Sequence, residues 1–528
     1  MHVGYVSDAD YVALSDVRVE FAREGSAPNV VQSTASGGIY AELPPDDYRI
    51  TLAKDGFGSV RVTKRIDQDT VHQFRLLRDA PLGYMTPLAV QSGDIGTYRI
   101  HAPEEVQVSL WRYGREKERI AILDWHGEHG PGSTRQRLPQ GDFTQTGCEW
   151  VSKNPSSPVH AEHVTAPTRS GLYYVHLHGQ HPDHFFAFPW VVAPKKPTAR
   201  FAVLASTMTW NAYNNFGGRS NYVNPDRLPA GPIVDPHAEL RRYQDGHRPY
   251  EPPNDAYRPL SYERPNRMTH IPAEVRPTDP VAGRNQCHLA PAEWRCLAWL
   301  ESEGYEYDLY ADDHLHDRTL DLDAYEMLLI HTHPEYWSVR MYDRVKTWVE
   351  DRGGKLAYLG GNGINCAVEV VDRHRLRYLT HDGAVGGDGY ESRFARIAES
   401  EANLLGVRFT ETGIMSAAPY EVVDANHWIF DGLVLEAGDR VGLTSLQERC
   451  SGGASGHETD KRSGATPEET KLLARGTNPD GGGAELVYRT TDSGGAVFST
   501  GSITYPLALF TDASIAQMTR TLLDRWVD

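Results

Sequence analysis

A short segment after a predicted buried strand carries side chains of the kinds that bind metals and transfer protons. Residues 331–337 read HTHPEYW, which places His333, Glu335 and Tyr336 within four positions of one another. Imidazole, carboxylate and phenol groups can ligate metals, and imidazole and carboxylate are common general acids and bases. The segment therefore predicts a catalytic or metal-binding loop. The alternative is a polar loop in which Trp337 packs against the sheet.

The elements around this segment predict its position. The apolar run before it is typical of a strand buried on both faces, and Ser338 can cap a helix with apolar residues at helical spacing over 339–349. Similar strands at 200–206, 305–311 and 355–361 alternate with helical patterns, which predicts a parallel, doubly wound α/β sheet over 200–528. Ligands bind such sheets at the carboxyl ends of the strands, where this segment lies.

Other strand ends contribute further candidates. The predicted pocket residues are Trp210, Asn211, Tyr213, Trp337 and Gly361, and the second strand ends at Tyr310. The turn YLGGNG over 358–363 lies where a nucleophile elbow would, but Asn362 occupies the nucleophile position, so a covalent intermediate at this turn is excluded. Gly361 and its neighbours either allow the backbone to approach a ligand or have a structural role.

Two insertions interrupt the α/β pattern. The first, at about 217–290, is rich in Pro, Arg, Tyr and Asp and too long for a plain loop, so we expect it to cover the site or an interface. The second, at 451–470, is rich in Gly, Ser, Thr and charge and predicts an exposed surface segment. A glycine-rich stretch over 381–394 contains His381 and Glu391 and reads by itself as a turn, although it could supply a carboxylate to the site.

The first 195 residues predict two β-sandwiches, at 1–80 and 85–195, because apolar and polar residues alternate between Gly, Pro and Asp clusters. The segment GGIYAELPPDDYRITLAKDGF resembles the carboxypeptidase regulatory-like domain, which is a transthyretin-like sandwich. In the second sandwich, His176 and His178 share one strand face and could form a metal pair. The alternative is that the histidines over 176–184 are exposed strand residues.

Composition excludes several classes of function. The net charge of −18 argues against a nucleic-acid partner, and no apolar run approaches the ~20 residues of a membrane span. The N-terminus does not resemble a signal peptide. Five scattered cysteines favour the cytoplasm and argue against a disulfide framework or a structural zinc site.

Several segments in the order TWNAYNNFGG, GYEYDLYADDHLH, IHTHPEYWS, GGKLAYLGGNG and GGAVFSTGSITY resemble the C-terminal domain of the N,N-dimethylformamidase large-subunit family. The resemblance implies a glutamine-amidotransferase-like α/β fold and a mononuclear ferric ion held by two tyrosines and one glutamate. Carried onto this sequence, it implies Tyr336 as one ligand, Tyr310 or alternatively Tyr213 as the second, and Glu391 as the third. It also implies His381 as the nearby histidine.

The expected function is hydrolysis of an amide bond in a small molecule by a polarised carbonyl and an activated water. His333, Glu335 and His381 are the candidate proton donors, and Asn362 with the backbone around Gly361 is the candidate oxyanion site. The resemblance also implies a homo-oligomer, with or without a separate small subunit. The alternatives are a binding or scaffold protein that retains the fold without the metal, or a hydrolase of esters or carbohydrates.

Overall fold

The computed structural model describes residues 1–126, 137–139, 141–151, 158–234, 253–281, 283–380, 389–447 and 452–527. Three groups of β-sheets follow one another along these residues. The prediction of a strand-rich chain with several sheets is confirmed, while the domain boundaries at 1–80, 85–195 and 200–528 remain predictions.

The first group contains two sheets that face a common core. Its strands β1–β7 are His2–Ser7, Arg18–Ala22, Asn29–Gln32, Gly38–Tyr40, Asp46–Lys54, Phe57–Ile66 and His72–Arg75. One sheet has the order β4-β1-β7 and the other β3-β2-β5-β6. Along β5 the buried Tyr48, Ile50 and Leu52 alternate with the exposed Asp47 and Arg49, so one face of the strand packs into the core.

The second group has the same kind of architecture. Its strands β8–β15 are Leu82–Thr86, Ala89–Gln91, Ile95–His101, Val106–Tyr113, Lys117–His126, Val159–Thr165, Gly171–His178 and Phe185–Ala193, and helix α1 is Phe143–Thr146. The sheet β13-β10-β8 and the sheet β12-β11-β14-β15-β9 enclose a core that includes Val108, Val175 and Trp190.

The third group is built on a nine-stranded sheet. Strands β16–β32 are Phe201–Ala205, Leu260–Ser261, Asp308–Ala311, Met327–Thr332, Tyr336–Trp337, Lys355–Gly360, Cys366–Asp372, Arg375–Leu379, Arg408–Thr410, Ala417–Ala418, Tyr420–Val422, Arg440–Val441, Ser455–Gly456, Thr459–Lys461, Lys471–Gly476, Glu485–Thr490 and Ala496–Ser499. Helices α2–α9 are Thr207–Ala212, Arg284–His288, Ala290–Ser302, Asp312–Asp317, Val339–Arg352, Ala402–Leu405, Tyr505–Ala508 and Ala513–Val527.

This sheet is mixed rather than wholly parallel. Strands β18, β16, β19, β21 and β32 are parallel neighbours in that order, and β31, β30, β26 and β27 continue the sheet with antiparallel pairing. The strands that flank the HTHPEYW segment belong to the parallel half. Helix α6 follows that segment, and the Ser338 hydroxyl accepts from the backbone N–H of Met341 as the predicted cap.

The first insertion is fixed to the domain by two buried arginines. Arg264 donates to the backbone oxygens of Asn214 and Phe216 at 2.8 and 2.7 Å. Arg219 forms an ion pair with Asp142 at 2.7 Å and donates to the oxygen of Pro225 at 2.7 Å. Because a buried guanidinium must be neutralised or hydrogen-bonded, these contacts hold the start of the insertion in one place.

Candidate functional site

Four oxygen-bearing side chains meet beyond the carboxyl ends of β16 and β19. The hydroxyl of Tyr222 lies 2.8 Å from that of Tyr213, 2.7 Å from that of Tyr336 and 2.7 Å from Oε2 of Glu335. Tyr213 also donates to the same carboxylate oxygen at 3.0 Å. We call Tyr213, Tyr222, Glu335 and Tyr336 the phenol–carboxylate cluster.

Each member reaches this point from a different element. Tyr213 ends helix α2, directly after the first strand of the parallel sheet, and Glu335 follows β19. Tyr336 lies in β20, which pairs with β22. Tyr222 comes from the first insertion, and its neighbour Asn221 donates to the Tyr336 hydroxyl at 2.8 Å. The insertion therefore supplies part of the site and does not merely cover it.

A second polar group adjoins the cluster through His333. Nε2 of this buried imidazole lies 3.3 Å from Oε2 of Glu335 and 3.3 Å from Oε2 of Glu458. The side-chain amide of Asn362 donates to Glu458 at 2.8 Å and lies 3.2 Å from His333 Nε2. One imidazole thus lies between two carboxylates, an arrangement that allows a proton to pass between the three groups.

Hydrogen bonds of Tyr358 and Asp460 hold the YLGGNG turn in place. Tyr358 donates to Oδ2 of Asp460 at 2.6 Å, and Oδ1 of the same carboxyl accepts from the backbone N–H of Asn362 at 2.8 Å. The backbone N–H of Gly363 donates to the Tyr358 hydroxyl at 2.7 Å. Burial raises the pKa of Asp460 to about 7, against the lowering effect of these hydrogen bonds. The contacts fix the position from which Asn362 reaches its partners.

Four non-glycine residues near the site have left-handed backbone conformations, among them His457, directly before Glu458, with φ 64°. Thr332, directly before His333, has φ 63°, while Asn362 and Ile364 have φ 51° and 53°. Asn adopts this region readily, but it is rare for β-branched Thr and Ile. Such conformations are sustained only where the surroundings dictate them, and they concentrate at functional sites.

Gly361 is required by packing against protein backbone. A Cβ on this residue would lie 2.4 Å from the backbone oxygen of Glu458 and 2.6 Å from the backbone N of Ile503. Of the two roles predicted for the glycines of this turn, this contact supports the structural one for Gly361, because its partner on that side is the segment that carries Glu458.

The donor set of the phenol–carboxylate cluster fits a hard, highly charged cation. It offers three phenol oxygens and one carboxylate, which are ligands that a ferric ion accepts readily. Burial, followed by the nearby Glu335, raises the pKa of Tyr336 well above its ordinary value, so its phenolate forms only if a cation is bound there. The residues present therefore match the kind of ion that the sequence resemblance implies.

The structure brings five of the predicted site residues together and leaves others apart. Those brought together are His333, Glu335, Tyr336, Asn362 and Tyr213. The predicted pocket residues Trp210, Asn211 and Trp337 are buried nearby: Trp210 donates to Glu293 at 2.8 Å and Asn211 to the backbone oxygen of Leu260 at 3.2 Å. His381 lies outside the described residues.

The hydroxyl of Tyr310 is not part of the cluster. It lies 2.7 Å from the hydroxyl of Tyr325, which donates in turn to Asp308 at 2.8 Å. Asp308 is the first residue of β18, so the Tyr310 side chain extends back toward the amino end of its strand. Glu391 is also placed elsewhere, where its carboxylate lies 3.6 Å from Arg408 and accepts from the backbone N–H of Ala465 at 3.3 Å.

The sequence analysis missed Asn221, Tyr222, Glu458 and Asp460. The last two belong to the segment that was predicted to be exposed surface, and this prediction is wrong for its first part: Glu458 is 3% exposed and Asp460 is 0% exposed. The segment GHETD does carry a signal, because one histidine and two carboxylates within four positions are unusual in a flexible linker. Tyr222 had no comparable signal, since it lies in an irregular insertion.

In the second sandwich, His176 contacts two aromatic side chains. Its Nε2 lies 2.7 Å from the hydroxyl of Tyr113, and its ring stacks on Trp111 with centroids 4.8 Å apart. The prediction of an exposed residue is wrong for His176, which is 2% exposed. Nδ1 of His184 lies 2.7 Å from Oε1 of Glu104.

Comparison with known proteins places the chain in a family. The sequence model described as N,N-dimethylformamidase beta subunit-like, C-terminal, matches residues 107–517, which is more than half of the chain. The chain belongs to this family.

Two curated relatives carry the name N,N-dimethylformamidase beta subunit. The one from Paracoccus aminophilus is 26% identical over 420 residues, covering 69% of this chain and 53% of the relative. The one from Alcaligenes sp. is 25% identical over 423 residues, covering 68% and 52%. The chain thus spans about half the length of the curated relatives it matches.

A solved structure of a DUF3823 family protein from Bacteroides ovatus is 11% identical and covers 35% of this chain and 88% of its own, with a TM-score of 0.13, which is too low to support an argument. Within the described ranges, every helix is too short or too polar to cross a membrane.

Proposed function

We propose that this chain hydrolyses an amide bond of a small molecule at the carboxyl edge of its parallel strands, with a mononuclear ferric ion held by the phenol–carboxylate cluster. The convergence of two further phenols and a carboxylate on the Tyr222 hydroxyl is the observation that carries the proposal. Membership of the family supports it, since the two curated relatives are named for N,N-dimethylformamidase.

The ligands would be chosen from Tyr213, Tyr222, Tyr336 and Glu335. A ferric ion bound there would act as a Lewis acid that polarises the amide carbonyl and makes water more acidic. Asn221 would orient the Tyr336 oxygen through its 2.8 Å hydrogen bond. The Tyr310 and Glu391 ligands implied by the sequence resemblance have no role in this proposal, because the structure places their oxygens with other partners.

The reaction adds water across the C–N bond. The hydroxyl of water bonds to the carbonyl carbon, the C–N bond breaks, and the amine leaves with a proton. We assign the removal of the water proton to Oε2 of Glu458 and the protonation of the leaving nitrogen to Nε2 of His333. These atoms are 3.3 Å apart, so the proton taken up by Glu458 can replace the one that His333 gives away.

Asn362 is assigned a positioning role. Its amide nitrogen donates to Glu458 at 2.8 Å and lies 3.2 Å from His333, so it holds the two proton-transfer groups at a fixed separation. The role of oxyanion donor expected from the sequence would require one of these contacts to be given up.

Further features belong to the same proposal. The parallel half of the sheet would correspond to a glutamine-amidotransferase-like core. The protein would act in the cytoplasm as a homo-oligomer, and a separate small subunit is consistent with the name beta subunit carried by the curated relatives.

A substrate panel tests the proposed activity. Iron-loaded protein is assayed for amine release from N,N-dimethylformamide, formamide and N-methylacetamide, and for acid release from methyl formate as the matched ester. The proposal expects amide hydrolysis that falls at least about a hundredfold in Glu458→Gln. Iron-loaded protein that hydrolyses the ester alone, or neither class, contradicts it.

A further inference from the structure

A separate group of metal-ligating side chains lies beside the phenol–carboxylate cluster. Sγ of Cys287 is 3.6 Å from Nδ1 of His288 and 3.9 Å from Nε2 of His457. One ligand atom from each of the three residues lies within 4.8 Å of the others. All three side chains are completely buried. We call Cys287, His288 and His457 the thiol–imidazole group.

These separations match a tetrahedral ion. Zinc bonds of about 2.3 Å to sulfur and about 2.0–2.1 Å to nitrogen place sulfur and nitrogen ligands about 3.6 Å apart. The two sulfur–nitrogen distances, 3.6 and 3.9 Å, are close to this value before any ion is bound.

The donor atoms differ in kind from those of the neighbouring cluster. Thiolate and imidazole are soft or borderline ligands that select Zn²⁺ among the common cellular cations, whereas phenolate and carboxylate select hard ions. The two groups nevertheless abut, since the His288 ring lies 4.7 Å from the Tyr213 ring and 5.3 Å from the His333 ring. The thiol–imidazole group and the phenol–carboxylate cluster can therefore select metals of different hardness at adjacent positions.

We propose that Cys287, His288 and His457 bind a second metal ion, a divalent cation of the zinc type, with the fourth position left to water. The proposal goes beyond the ferric site described above and does not depend on it. The scattered cysteines led the sequence analysis to argue against a structural zinc site, because the ligands are far apart in sequence: Cys287 and His457 are separated by 170 positions and meet only in the fold.

The position of this ion suggests what it does. Cys287 and His288 belong to α3, at the end of the first insertion, and His457 directly precedes Glu458 in the second. Each insertion also supplies a side chain to the reactive region, Tyr222 from the first and Glu458 from the second. An ion in the thiol–imidazole group would therefore connect the two insertions and fix Glu458 relative to His333.

Metal analysis with cobalt substitution tests the proposal on the full chain. Protein purified without chelators is expected to hold about one zinc per chain in addition to any iron. After zinc is exchanged for Co²⁺, a thiolate-to-cobalt charge-transfer band is expected in the near ultraviolet. Cys287→Ser should lose this band and bind zinc at least tenfold more weakly, whereas the matched buried cysteine variant Cys296→Ser should retain both.

The outcomes separate the two metal proposals. Tyr336→Phe should lose or shift the ferric band and keep the zinc, whereas Cys287→Ser should keep the ferric band and lose the zinc. Wild-type protein that takes up no zinc or cobalt overturns the second site even if Cys287→Ser fails to fold. Rapid alkylation of Cys287 by iodoacetamide in zinc-saturated protein also overturns it, because it would show a free reactive thiol instead of a metal ligand.

Discussion

His333 at the edge of the parallel strands and His176 in the second β-sandwich are both buried, yet their surroundings are opposite. His333 lies between two carboxylates, each 3.3 Å from its Nε2. His176 has the neutral hydroxyl of Tyr113 at 2.7 Å and the face of Trp111, and burial lowers its pKa to about 2. The comparison teaches that burial alone disfavours the charged form of an imidazole, and that neighbouring carboxylates are what can offset this cost.

The largest expected difference is in the loss of kcat after substitution of two carboxylates, one beside His333 and one in the second sandwich. Glu458→Gln should lower kcat for amide hydrolysis by about 10²–10⁴, since it removes the proposed base. Glu104→Gln, which breaks the His184 pair in the second sandwich, should leave kcat within about twofold. Steady-state kinetics at matched iron content measure both variants. Equal losses of kcat would contradict the expected difference between the two regions.

Substitution of the two histidines should separate activity from stability. His333→Gln should lower kcat by about 10²–10³ because the leaving nitrogen loses its proton donor. His176→Gln should leave kcat unchanged and lower the free energy of unfolding by about 1–3 kcal/mol, because it loses a buried hydrogen bond and a stacked ring. Denaturant titration and steady-state kinetics on both proteins check this. A lower kcat in fully folded His176→Gln protein would contradict the prediction.

A change of backbone packing tests how rigid the site edge must be. Gly361→Ala should lower the free energy of unfolding by about 1–3 kcal/mol, since its Cβ would meet the Glu458 oxygen at 2.4 Å and neither backbone can yield freely. It should also reduce kcat by displacing Glu458. Gly464→Ala is the matched control, because a Cβ there meets no atom within 4 Å. The measurement is thermal unfolding, and similar melting temperatures for the two variants would contradict the expectation.

The smallest expected effect is a pH dependence of stability. Burial raises the pKa of Glu293 to about 8 in the folded protein, against about 4.3 in an unfolded chain. The protonated form is therefore favoured by folding, so the stability it contributes is complete below pH ~4.3 and is lost as the pH rises through about 8.

Glu293→Gln should remove this dependence. Between about pH 6 and pH 7, the free energy of unfolding of the wild type should fall by up to about 1.4 kcal/mol more than that of the variant. Gln retains an oxygen that can accept from the indole N–H of Trp210, which makes it a conservative change. Parallel slopes in denaturant titrations at the two pH values would show that Glu293 is already ionised in the fold.

Part of the site followed from the sequence because of a general property of parallel sheets. Tyr213, His333 and Asn362 each come shortly after a recognisable apolar strand, and parallel strands bring their carboxyl ends to one edge. Tyr310 satisfies the same rule in sequence, but its hydroxyl bonds to Tyr325 toward the other end of the strand. The position of a residue along its strand therefore predicts which edge of the sheet it lies near. It does not predict the direction in which a long side chain points.

The rest depended on contacts between distant segments. Tyr222 lies in an irregular insertion, and its place in the cluster depends on the buried arginines Arg219 and Arg264 that anchor the insertion. Glu458 lies in a stretch whose composition is typical of exposed loops, but strand pairing of Ser455–Gly456 and Thr459–Lys461 draws it into the interior. Neither tertiary contact leaves a periodic pattern in the sequence.

The most direct test of the central claim is the iron content and visible spectrum of the purified protein. Wild type is compared with Tyr336→Phe and with Tyr113→Phe, which removes a buried phenol from the second sandwich. The account predicts near-stoichiometric iron and a tyrosinate-to-iron charge-transfer band in wild type and Tyr113→Phe, with the band lost or shifted in Tyr336→Phe. Colourless wild type that takes up no iron would contradict the ferric site and favour a binding protein that retains the fold.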